Sequence, residues 1–122
     1  SDMNPSWDMI EKPVYHPILK YAGTPDRVGT IKGYPRGVYD IKNTALVSPA
    51  IGVQLSGYSR ILEPEQFLSM PRFAIQLKPN GKYSLEPFKD STDFAVFQSL
   101  LTLYQWKGKY YDASGKLYSR AA

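Results

Sequence analysis

Between positions 27 and 42 the chain carries Arg27, Lys32, Arg36 and Lys42, with Tyr34 and Tyr39 set among them. Guanidinium and ammonium groups neutralise phosphates, and a tyrosine ring offers a flat face on which a base can stack. Lys109, Tyr111 and Lys116 repeat this combination of cation and ring near the C-terminus. Together these residues are the candidate nucleic-acid contacts. Their chemistry is binding, since neither phosphate neutralisation nor stacking needs a nucleophile or a general base. The same tyrosines are ordinary strand formers that half-bury well, so a structural role competes with the binding one at each position.

Chemistry of other kinds finds little support. His16 is the only histidine; it could act as a general base, but no Ser or Asp stands near it in sequence, and a structural or surface role is expected. Glu63 and Glu65 flank Pro64 and could hold a metal. At the start of a helical turn, however, two carboxylates simply complement the helix dipole, and that is how they read. The absence of Cys excludes a disulfide framework, an iron–sulfur cluster, a Cys/His zinc site and a cysteine nucleophile. No metal or other cofactor is expected.

The elements that must position these residues follow from turn chemistry and periodicity. The opening Ser1-Asp2-Met3 reads as a cloning remnant, and residues 1–14 read as an extended arm whose Trp7 and Ile10 dock on a single domain spanning 15–122. Three short β-rich segments, His16–Ala22, Arg27–Lys32 and Val38–Lys42, are separated by Gly/Pro turns and suggest a meander. Ile51–Leu55 alternates like a strand. Glu63–Met70 reads as a helical turn with Pro64 near its start. Phe73–Leu77 and Lys82–Leu85 flank Asn80-Gly81 and predict a hairpin. Asp90–Asp93 opens a helix over 91–106, with Phe94, Phe97, Leu101 and Tyr104 at spacings of three and four; Val96, Leu100 and Leu103 widen its stripe. Gly108 is expected to stop it and Phe97 and Leu101 to be buried against the sheet. A last hairpin, Lys109–Tyr111 with Lys116–Tyr118, closes the chain. The fold class is α+β: a small, mostly antiparallel sheet or partly open barrel with one principal helix packed on it.

Composition agrees. A chain of 122 residues with 43% hydrophobic and 14% aromatic content supports one packed core. The longest apolar runs, such as Phe94–Phe97, fall far short of the roughly 20 residues a bilayer span needs. No membrane partner and an intracellular setting are expected. The net charge of +4 favours polyanionic partners mildly.

The stretch Gly23-Thr-Pro-Asp-Arg-Val-Gly-Thr-Ile-Lys-Gly33, followed by Gly37-Val-Tyr-Asp-Ile-Lys42, resembles the opening hairpin of SH3-like barrels of the KOW and Tudor kind. The resemblance covers residues 18–42, and the long helix is no part of such a barrel. It implies a five-stranded barrel contacting nucleic acid or protein through its turns and one face. Gly37-Val-Tyr-Asp-Ile-Lys-Asn43 also resembles the first strand of GIY-YIG nucleases, but Ile51-Gly-Val-Gln lacks the tyrosine of the partner strand. The sequence thus supports a non-enzymatic, nucleic-acid-binding domain with a basic, tyrosine-rich β-surface. The alternative is a protein–protein interaction module of a larger assembly, viral or phage assemblies included. A small metal-independent nuclease or toxin domain is third.

Overall fold

A computed structural model describes residues 3–44 and 46–118. In chain order its elements are β1 (Ser6–Ile10), β2 (Val14–His16), β3 (Tyr21–Gly23), β4 (Arg27–Thr30), β5 (Gly37–Lys42), α1 (Pro49–Leu62), β6 (Arg72–Leu77), β7 (Tyr83–Pro87) and α2 (Asp93–Tyr110). Five strands form one open sheet in the order β1-β4-β5-β6-β7, and β2 and β3 pair as a separate ribbon. All pairings are antiparallel except β5 with β6. The fold is α+β with one principal helix, α1, packed on the sheet. The expected arm is an edge strand, since Trp7 pairs with Gly29 and Ile10 with Arg27. Met3 belongs to the body too: its carbonyl accepts a hydrogen bond from Lys32 N–H at 2.9 Å.

The expected strand at Ile51–Leu55 is instead the first half of α1. Ser48 caps this helix, its hydroxyl accepting from Ala50 N–H at 3.2 Å, and Pro49 sits at the first turn, where a missing N–H costs nothing. Ile51, Leu55, Tyr58 and Leu62 recur at helical spacing and face the sheet, where Val28, Val38 and Met70 complete the core. Parallel pairing of β5 with β6 needs a crossover connection, and α1 supplies it. Glu63 and Glu65 do not open a helix. Glu63 is the C-cap of α1, and the turn that follows is a 3-10 turn at Phe67–Ser69.

Successive residues of β5 point to opposite faces. Val38 enters the α1 side, whereas Tyr39 joins Ile31, Phe73 and Ile75 on the far face, under Trp7. The Trp7 and Tyr39 rings meet edge-on at 5.2 Å, and Tyr39 lies over Phe73 at 5.4 Å. The hairpin between β6 and β7 forms as expected. Its turn runs Lys78–Gly81, closed by Gly81 N–H to Lys78 O at 3.0 Å and Lys78 N–H to Lys82 O at 2.9 Å. Gly81 there adopts φ +80°, a left-handed conformation that glycine enters without penalty.

α2 corrects two expectations. It runs through Gly108 to Tyr110, and it packs on α1 rather than on the sheet. Phe97 and Leu101 are consequently half-buried, not wholly buried.

Candidate interaction surface

The cations expected to share one patch are divided between two ends of the β4–β5 pair. Arg27 lies opposite Tyr39, so it shares an end with Lys42; Gly29 lies opposite Gly37, which puts Lys32 and Arg36 at the other. Five residues of strand, about 16 Å, separate Arg36–Gly37 from Lys42. Most of these charges already have partners. Arg27 donates to Asp26 O at 2.7 Å, and Lys42 lies 3.5 Å from the Asp40 carboxylate. Arg36 grips Asp8 through Nε and Nη2 (3.2 and 2.9 Å) and Glu63 through Nη1 (2.8 Å), tying β1 to the end of α1. Tyr39 is fully buried and cannot stack on a ligand. Tyr34 is half-exposed, its ring edge-on to Phe73 at 5.2 Å. Lys32 is exposed.

His16 is buried against Tyr21, the rings 5.5 Å apart, and its Nδ1 accepts from Leu19 N–H at 3.0 Å. Burial, helped by the positive charge of Arg60, lowers its pKa below 6.5. It shapes a turn. Asp40 is held above its usual pKa chiefly by burial, with Asp26 adding repulsion and Lys42 opposing it. Asp26 spends its own carboxylate on Ile41 N–H at 2.8 Å. Among the described residues no group of three His, Cys, Asp or Glu side chains could hold a metal ion.

α2 carries a run of exposed large apolar side chains. Its N-terminus is anchored by Arg72, a buried guanidinium on β6 that donates to Gly52 O at 2.8 Å, to the Asp93 carboxylate and to Asp90 O at 3.1 Å. Asp90 in turn accepts from Thr92 N–H and Oγ1 at 2.9 and 2.7 Å, bonds that lower its pKa. Further along, Phe97 packs on Tyr21 at 4.8 Å, and Gln105 Nε2 donates to Leu19 O at 3.0 Å. Phe94, Phe97, Leu101 and Gln105 therefore define the side facing the body.

About 140° around the helix, at 100° per residue, Val96, Leu100 and Leu103 face outward, 44%, 57% and 53% exposed. Tyr104 and Trp106 flank them at 77% and 49%. Beside this stripe runs an almost wholly apolar groove of about 580 Å³, between Pro49, Ala50 and Val53 of α1 and Val96, Leu100 and Tyr104 of α2. Periodicity alone counts Val96, Leu100 and Leu103 toward the core, and their exposure corrects that. The signal for it in the sequence is the width of the stripe, which exceeds what one packing partner can cover.

Beyond α2 the chain turns back. Asp112 Oδ1 accepts from Ser114 N–H and Lys116 N–H at 2.9 and 3.0 Å, Tyr111 bridges to Leu117, and Tyr118 N–H donates to Tyr110 O at 2.7 Å. Of the expected last hairpin only the turn and one bridge form, since Lys109 and Tyr110 still belong to α2; the closure brings Lys109, Tyr111 and Lys116 to one end of the molecule. Lys109 and Lys116 are exposed, and Tyr111 leans toward Trp106 at 6.3 Å. Among the described residues no helix is long and apolar enough to cross a membrane. No protein-family model matches the chain, and no curated protein matches it.

Proposed function

We propose that this protein is a protein–protein interaction module whose docking surface is the outward face of α2 with the adjoining α1–α2 groove. One observation carries the reading: of an 18-residue helix, the only buried residue is Asp93, while five large apolar side chains are 44–77% exposed. Contiguous apolar surface of this kind is rare on a monomer unless something covers it. The test is a photo-crosslinking residue at Leu100, with a control at exposed Glu86 on β7. Discrete adducts from position 100 and none from 86 are expected in cells. Absence of adducts from both positions rejects the reading.

A second reading, binding of single-stranded nucleic acid, is favoured by the C-terminal closure, where a cleft of about 500 Å³ is lined by Tyr104, Lys107, Tyr111 and Tyr118. The rings and Lys107 there could stack bases and hold a phosphate, with Lys109 and Lys116 at the same end of the molecule extending the cationic surface. Oligonucleotide retention at low salt, falling steeply as salt rises, would support it. Lys109→Glu with Lys116→Glu should then abolish retention.

A further inference from the structure

The outward face of α2 has a period of its own. Val96, Leu100, Leu103, Lys107 and Tyr110 follow at spacings of four, three, four and three, which is the heptad seam along which one helix packs against another helix. Val96, Leu100 and Leu103 point away from the side that Phe97 and Leu101 turn to the body and stay 44–57% exposed, whereas Tyr110 at the end of the seam is partly buried beside Trp106. We propose that the partner is a second copy of this chain, α2 lying antiparallel against α2 about a two-fold axis near Leu103. The inference rests on the docking surface proposed above and names its occupant.

Charge decides the orientation. The C-terminal end of α2 carries Lys107 and Lys109, with Lys116 on the closure beyond, whereas at the N-terminal end Asp93 is spent on the buried Arg72 and Lys89 stands beside Asp90. A parallel pair would set Lys107 against Lys107 in the seam and crowd six lysines at one end. The antiparallel pair sets Leu103 against Leu103, Val96 against Tyr110 and Leu100 against the aliphatic stem of Lys107, whose ammonium reaches water. It also sets the two basic ends at opposite ends of the pair and opposes the helix dipoles. Tyr104 and Trp106 flank the seam on either side, as large side chains do beside a helix–helix core. At their observed exposures the five apolar residues offer on the order of 500 Å² per copy. Two copies then bury about 1,000 Å² before any polar rim is counted, which reaches the lower bound for a specific interface. A closed, isologous pair follows from this self-complementary patch, with no tendency to form fibres.

The chain has no Cys, so single cysteines report the geometry directly. Sedimentation equilibrium of the purified protein should show a monomer–dimer equilibrium with a dissociation constant in the micromolar range. Leu103→Glu should remain monomeric throughout, with unchanged far-UV circular dichroism. Under mild oxidation Leu103→Cys should cross-link to itself. Val96→Cys should not, but Val96→Cys with Tyr110→Cys in the same chain should. Self-linking of Val96→Cys without self-linking of Leu103→Cys overturns the antiparallel pair. A wild-type protein that stays monomeric at several hundred micromolar overturns self-pairing altogether. If position 100 still gives discrete adducts with other proteins in that case, the docking surface stands and its partner is a different chain; if it gives none, both fall.

Discussion

Phe97 of α2 occupies the space that a side chain at Gly57 of α1 would need: a Cβ on Gly57 would lie 2.5 Å from Cε1 of the ring. The seating of Phe97 on α1 thus depends on the missing methyl group at Gly57. Gly57→Ala should destabilise the fold by about 1–3 kcal/mol, the range for overpacking. Gly108, also within α2, has open space where a Cβ would go, with no atom within 4 Å. Gly108→Ala should stabilise by about 0.5–1 kcal/mol through helix propensity alone. Denaturant midpoints that move in the same direction for both variants would contradict this packing.

Two buried tyrosines should answer oppositely to loss of the hydroxyl. Tyr21 donates to Gly57 O at 2.7 Å, and burial pushes its phenol up to about 12, so it remains a donor across the working pH range. Among the described residues the Tyr39 hydroxyl has no hydrogen-bond partner. Tyr21→Phe should cost about 1–2 kcal/mol, whereas Tyr39→Phe should be neutral or stabilising, because a buried unsatisfied donor is removed. Thermal melts of the two variants separate these outcomes.

Arginines 36 and 72 both make ion pairs, yet their weights differ. Arg36 holds two carboxylates, but its side chain is 37% exposed; Arg72 is 7% exposed and bonded on three sides. Arg72→Met leaves the Asp93 charge and two carbonyls without their partner and should cost about 3–5 kcal/mol. Arg36→Met should cost about 1 kcal/mol or less, since water screens its pairs. Equal urea midpoints for the two variants would contradict the anchoring role given to Arg72.

His16 makes stability depend on pH. In the unfolded chain its imidazole takes up a proton near 6.5, but in the folded protein it does so only at lower pH, because burial and Arg60 disfavour the cation. Between those values the unfolded state binds more protons. The contribution of His16 is therefore fully present above 6.5 and is lost as pH falls through this window. An NMR titration of the lone imidazole should give a midpoint below 6.5. His16→Gln should flatten the decline in melting temperature on acidification from about pH 7.5 to pH 5.

Much of this architecture is legible in short-range pattern. Alternation on both sides of Asn80-Gly81 identifies the β6–β7 hairpin, and the positive φ of Gly81 is the conformation such a turn demands. The β4–β5 pair and the existence of α2 follow from equally local signals. The candidate site is legible only in part. Lys109, Tyr111 and Lys116 converge because the turn at Asp112–Gly115 is local.

Other features depend on partners distant in sequence. Ile51, Val53 and Leu55 alternate well enough for a strand. Their helical state is decided by Tyr58 and Leu62 completing a stripe against Val28 and Val38, and by the crossover that parallel strands require. Nearness along the chain puts the basic residues of 27–42 in one patch, but antiparallel pairing sends Arg27 with Lys42 and Lys32 with Arg36, while Asp8 and Glu63 reach Arg36 from elsewhere. The period of α2 says that the helix has apolar faces, not which of them the body covers. Gly57 admitting Phe97 settles that, because helices pack where side chains are small enough to let them approach, and the stripe left over is what remains in water.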